Sequence, residues 1–163
     1  MKFRQAFLYS LKLPSKQAMF KLNRIGMDIT VIYMFILLFI VSIPSLIDRI
    51  TATSGMSSDM NILFLLLYFF IFYYLPLTIM VFLLLSIVAY ISTGIAKLLK
   101  RKIRFSILWK LAAYVTTIPL LLYTVIAFLI PVSDTFLLLV TIYVFILMLK
   151  MITVYPKRKI RSK

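Results

Sequence analysis

The sequence predicts an all-α membrane protein, a four-helix transmembrane bundle with both termini on the cytoplasmic side. Three observations predict it. The chain is 64% hydrophobic yet carries 19 Lys and Arg against four acidic residues. Its mean hydropathy is +1.09. Nearly every basic residue falls in one of three blocks, 2–24, 97–110 and 150–163, with long apolar runs between them. Apolar stretches of about 18 residues or more are long enough to cross a bilayer. Only helices or closed barrels satisfy their backbone polar groups in lipid, and these runs show no two-residue alternation, so helices follow. The 163 residues make a single membrane domain.

The spans fall at about 29–47, 62–96, 107–130 and 135–155, leaving 1–28 as a cytoplasmic interfacial segment and 156–163 as a basic cytoplasmic tail. Loop charge alternates. Lys2, Arg4, Lys12, Lys16, Lys21 and Arg24 precede the first span, whereas the segment after it carries only Arg49 with Asp48 and Asp59. The next loop carries Lys97, Lys100, Arg101, Lys102, Arg104 and Lys110, and the connection 131–134 has no basic residue. The positive-inside rule then places both termini inside. A cleaved signal peptide is the competing reading of the first run; its full bilayer length and the long segment before it favour an uncleaved span.

The second apolar run is too long for one crossing. Its 35 uncharged residues make a helix of roughly 50 Å against a hydrocarbon core of about 30 Å. A bent helix resolves this, with the bend at Pro76, which cannot donate a backbone hydrogen bond. Ahead of Pro76 lies an aromatic stretch, 68–74, whose tyrosines favour a membrane interface. Tyr68, Phe69, Phe72, Tyr73 and Tyr74 are therefore candidate partner contacts. The alternative is a strongly tilted helix packed within the bundle.

Residues 2–25 predict two short amphipathic helices broken at Pro14, with Ser15 as an N-cap. Phe3, Phe7 and Leu11 recur every four residues in the first; Ala18, Met19, Leu22 and Ile25 form one stripe in the second. An apolar stripe with basic flanks suits the headgroup region. Phe3, Phe7, Leu11, Met19 and Leu22 are candidate contacts for a partner, against the plainer role of a topology anchor. In the basic loop, Lys97, Lys100, Arg101, Lys102 and Arg104, with Trp109 at an interfacial aromatic position, are candidates for anionic lipid headgroups. The basic residues flank spans and do not interleave with exposed aromatics, so nucleic acid is not the expected partner.

The residues for catalysis are scarce. His, Cys and Glu do not occur, which removes the commonest general bases and metal ligands. Asp28, Asp48, Asp59 and Asp134 all fall at or beyond span ends. No enzyme, cofactor or metal site is expected. Within the last span, Lys150 lies near the cytoplasmic end, where it can snorkel to the interface. Thr116, Thr117, Pro119 and Tyr123 are the best candidates for a mid-membrane cavity, because a proline-broken helix with hydroxyls can form one; simple interhelical hydrogen bonds are the alternative.

Phe7, Ser10 and Pro14, then Phe20, Ile25-Gly26, Tyr33 and Ser42-Ile43-Pro44, carry a resemblance. Together they resemble the start of a Firmicutes membrane-protein family labelled domain of unknown function 1189, sometimes tagged as maltodextrin utilisation. That family is distantly similar to Yip-type polytopic proteins, which act through partners. The resemblance implies a Gram-positive plasma-membrane protein and no catalytic residues. The expected role is a non-enzymatic accessory or regulatory subunit that binds another integral membrane protein or itself, in a bilayer with anionic lipids. A small oligomeric channel or transporter and an anionic-lipid-organising protein are the alternatives.

Overall fold

The computed structural model describes residues 2–52, 61–130 and 134–156. Asp59, the connection 131–133 and the basic tail from Lys157 lie outside the described residues. Among the described residues every regular element is helical: α1 (Lys2–Ser10), α2 (Lys16–Asn23), α3 (Met27–Thr51), α4 (Ile62–Phe69), a π turn (Phe70–Tyr74), α5 (Leu75–Leu98), α6 (Phe105–Val115), α7 (Thr117–Ala127) and α8 (Asp134–Val154). Three continuous stretches are long and apolar enough to cross a membrane: Met27–Thr51, Ile62–Leu98 and Phe105–Ala127. The fourth expected span is helical as α8, with a shorter apolar portion, Leu138–Val154.

Local chemistry sets the boundaries. The break at Pro14 separates α1 from α2, and the Ser15 hydroxyl accepts a bond from the Ala18 N–H at 3.4 Å, the expected N-cap. Gly26 caps α3, with Asp28 in the first turn where a carboxylate suits the positive end of the helix. Pro44 stays inside α3.

The disturbance expected at Pro76 takes a specific form. The backbone widens into the π turn, where the Leu75 N–H reaches back to the Phe70 carbonyl. Pro76 follows within the first turn of α5. A proline ring crowds the carbonyl four residues earlier and offers it no proton. The extra residue in the turn accommodates both effects, so the helix runs unbroken from Ile62 to Leu98. Aromatic pairs four residues apart line this stretch, Tyr68–Phe72 at 4.7 Å, Phe69–Tyr73 at 4.8 Å and Phe70–Tyr74 at 5.1 Å.

α5 ends in a Schellman motif. The Arg101 N–H donates to the Ala96 carbonyl at 2.8 Å and the Lys100 N–H to the Lys97 carbonyl at 3.0 Å. Lys100 takes a φ of 52° at the position that favours glycine. Left-handed backbone costs an L-residue about 1–2 kcal/mol. Lys100→Gly is expected to raise the denaturation midpoint in mild detergent, by an amount corresponding to about 1 kcal/mol; an unchanged or lower midpoint contradicts it.

The main core joins α1, α2, α3, α5, α6 and α8. This corrects the expectation for the N-terminal helices. The stripe Ala18, Met19 and Leu22 is buried, and Met19 and Leu22 are inaccessible to lipid or partner because they pack into the chain's own core. α1 packs on α3, α6 and α7, and α2 on α6 and α8. The physical reason is that α6 and α8 offer Leu108, Met148, Met151 and Ile152 as an apolar seat for that stripe. Phe3, Phe7 and Leu11 do face outward, each more than a third exposed.

α5 leans on the bundle along one edge. Leu85, Ala89, Ser92 and Ala96 are buried at helical spacing, whereas Leu83, Leu84, Ile87 and Tyr90 are exposed. Its neighbour α6 presents fully buried Ala112 and Ala113. Small residues let helix backbones approach closely, the usual basis of packing in lipid.

Candidate functional site

The most highly organised polar cluster lies where α1 and α2 meet the start of α3 and the α6–α7 junction. Thr30 and Tyr33 sit three residues apart on one face of α3, and Tyr114 and Thr117 do the same across the α6–α7 junction. The Tyr33 hydroxyl hydrogen-bonds Thr117 Oγ1 at 2.8 Å and Ser10 Oγ at 3.3 Å. The Tyr114 hydroxyl hydrogen-bonds Thr30 Oγ1 at 2.9 Å. Thr30 also reaches the Gly26 carbonyl at 3.0 Å, and Ser10 the Phe7 carbonyl at 2.7 Å. The rings of Tyr33 and Tyr114 lie 5.3 Å apart, with Phe3 5.4 Å from Tyr33 on another side. All five hydroxyl residues are buried.

Beside this cluster Lys110 is buried. Its Nζ donates to the Asn23 and Ile25 carbonyls, both at 2.7 Å. Terminal helix carbonyls lack intrahelical partners, and a cation satisfies them and suits the negative end of the helix dipole. Lys110 therefore serves as a long-range cap for α2. The sequence reading grouped it with the basic loop. The available signal was its setting: apolar neighbours, Trp109 and Leu111, flank it on both sides. The hydroxyls bond to one another and to carbonyls, so the arrangement ties helices together.

The other candidate residues divide. Phe69 and Tyr74 are buried against α3, and the Tyr74 hydroxyl donates to the Phe35 carbonyl at 2.8 Å. Tyr73 bonds Ser45 at 2.8 Å and carries the Arg49 guanidinium over its ring at 5.5 Å. These three thus bind their own chain, because they fall on the α3 side of the long helix. Phe72 points away and is 65% exposed, with Tyr68 half-buried and stacked on it.

The cavity expected at Thr116, Thr117, Pro119 and Tyr123 is corrected in part. Thr117 and Pro119 are buried, Thr116 bonds its own Ala113 carbonyl at 2.8 Å, and Tyr123 leans on Phe136 at 5.8 Å. Thr117 is taken up by its bond to Tyr33. A groove of about 170 Å³ does touch Pro119, but its other walls are Ile118, Leu122, Phe136, Leu139, Val140 and Tyr143, a hydrophobic surface.

In the basic loop, Lys97, Lys100, Lys102 and Arg104 are exposed. Arg101 and Trp109 are not free for headgroups. Arg101 donates through a terminal nitrogen to the Tyr155 carbonyl, and its Nε and the Tyr155 hydroxyl are buried without a partner. Trp109 is buried, donates to Ser86 at 3.2 Å and lies 5.9 Å from the Phe82 ring. It packs inward because α6 buries nearly its whole circumference.

No curated protein and no solved structure matches the chain. A family model described as protein of unknown function (DUF1189) matches residues 49–152. The match runs from the end of α3 into α8, beyond the opening residues that carried the sequence resemblance. Of those opening residues, Ser10, Tyr33, Ile25 and Gly26 meet in the polar cluster and its cap. The matched stretch is more than half of the chain, and this protein belongs to the DUF1189 family.

Proposed function

We propose that this protein is a non-enzymatic accessory or regulatory subunit of the bacterial plasma membrane, crossing it four times with both termini inside. It acts by binding another integral membrane protein, within a transport system or a comparable assembly. One observation carries the reading. The 37-residue helix Ile62–Leu98 has its most apolar window only 17% buried, against 44% and 56% for the two other long apolar helices. At about 1.5 Å per residue it reaches roughly 55 Å, well beyond a hydrocarbon core of about 30 Å. Lipid tails cover apolar surface only within that core, so a protein neighbour is the natural cover for the remainder. The exposed Lys97, Lys100, Lys102 and Arg104 support a second reading, in which the loop gathers anionic lipids.

A photo-crosslinking residue at Phe72 or Phe64, both exposed, tests the first reading in intact membranes. A discrete protein adduct is expected from these positions and none from Tyr90, an exposed position on α5. Lipid adducts alone at Phe72, Phe64 and Tyr90 contradict it.

A further inference from the structure

The N-terminal hairpin carries a second feature that its docking into the bundle does not use. Between α1 and α2 lies an open groove of about 260 Å³, lined by Gln5, Tyr9, Lys21, Arg24 and Ile25. Lys21 is held in place at its wall. Its Nζ donates to the Tyr9 hydroxyl at 2.7 Å and sits 4.7 Å from the centroid of the same ring. A phenol orients an ammonium without neutralising it. Lys21 keeps two N–H donors, and Tyr9 keeps its O–H, so each retains donor capacity. Arg24 adds a planar guanidinium, and Gln5 an amide.

Cations outnumber acidic groups here six to one, and the one carboxylate, Asp28, folds back over Gly26. The first acidic residue is Asp28, and it follows Lys2, Arg4, Lys12, Lys16, Lys21 and Arg24. The carbonyl end of α2, which would repel an anion, is already covered by the Lys110 ammonium on Asn23 and Ile25. Ile25 lines the groove and accepts from Lys110, so a further cation stands behind it. The same hairpin exposes Phe3, Phe7, Leu8 and Leu11, an apolar outer surface suited to the acyl boundary.

We infer that the α1–α2 groove is a binding site for the phosphate headgroup of an anionic phospholipid, with Lys21 and Arg24 on the phosphate and Tyr9 fixing Lys21. It is separate from the Lys97–Arg104 loop and does not depend on the accessory-subunit reading. The ligand is a lipid because the groove is open and belongs to a hairpin that also exposes Phe3, Phe7, Leu8 and Leu11.

The test is native mass spectrometry of the full chain released from nanodiscs of phosphatidylcholine with a minor fraction of phosphatidylglycerol. One or a few phosphatidylglycerol adducts are expected to persist, in preference to phosphatidylcholine. Each cation removed is expected to weaken retention about fivefold, and K21Q/R24Q together roughly 25-fold. Tyr9→Phe is expected to give a smaller loss, since it frees Lys21 without removing charge. K97Q/K100Q, in the exposed loop, is expected to retain the adducts. Equal retention by K21Q/R24Q with an unchanged circular dichroism spectrum overturns the site. So does a comparable loss from K97Q/K100Q, which would indicate diffuse attraction to the basic surface. Displacement of the adducts by soluble glycerol phosphate at similar concentration overturns the lipid assignment in favour of a free phosphate ester.

Discussion

Lys110→Met is expected to loosen the α1–α2 hairpin from the bundle. The substitution keeps the length and apolar character of the side chain and removes both bonds to the Asn23 and Ile25 carbonyls. Hydrogen bonds from a charged donor contribute about 1.5–3 kcal/mol each, and relief from burying the ammonium offsets part of the loss. A net cost of about 2–3 kcal/mol follows, at the upper end of ordinary single substitutions. For a chain of this size the thermal midpoint should fall by roughly 4–12 °C. Trypsin should cut at Arg24 sooner than in the unaltered protein, because the end of α2 is what Lys110 holds. Lys97→Met is the control, since Lys97 is exposed and surface changes usually stay within about 0.5 kcal/mol. An unchanged midpoint together with unchanged cleavage at Arg24 would show that Lys110 holds nothing.

Tyr33→Ala is expected to be the more damaging change. Tyr33 joins α1 through Ser10, α7 through Thr117 and α6 through the Tyr114 ring. Removing a buried aromatic costs about 3–5 kcal/mol through lost packing and the cavity left behind. The hydroxyl contributes a smaller share. Tyr33→Phe keeps the ring and leaves Ser10 and Thr117 without it, at about 1–2 kcal/mol; Ser10 still has the Phe7 carbonyl. A double-mutant cycle with Thr117→Val separates the two effects. A direct Tyr33–Thr117 bond at 2.8 Å predicts a coupling within the range of about 0.5–3 kcal/mol. Additive single changes would mean that the two hydroxyls do not depend on each other.

Both predictions concern residues whose partners are far away in sequence, and this marks where sequence reading succeeds and fails. The long helices were legible because their cause is local. Uninterrupted apolar runs become helices in a medium without water, and the observed Met27–Thr51, Ile62–Leu98 and Phe105–Ala127 lie within a few residues of the expected spans. Pro14 and Ser15 marked the break between α1 and α2 for the same reason. The stripe Ala18, Met19 and Leu22 was legible as a stripe. Its destination was not, because a lipid boundary and a protein core reward the same pattern. The aromatic stretch behaved similarly: its composition was plain, but which rings faced α3 depended on the π turn, which shifts the helix face by a residue.

Polar residues divided along the same line. Thr117 was expected either to line a cavity or to join helices. The presence of Tyr33 at 2.8 Å decides for the second, and nothing near Thr117 in sequence announces it. Lys110 and the flanking Trp109 read as part of an interfacial block, because charge and aromatics at a span end usually are. The fold buries both: Trp109 packs on Ser86 and Phe82 of α5, and the hairpin folds back over the start of α6 and supplies the carbonyls that make the buried Lys110 ammonium tolerable. By itself the sequence determined that the chain is helical, apolar enough for a membrane and rich in cations at segment ends, because these follow from composition and short-range periodicity. Only the tertiary structure decided which cations are solvated, which hydroxyls pair and which apolar face stays open, because each depends on groups brought together from helices up to 87 residues apart.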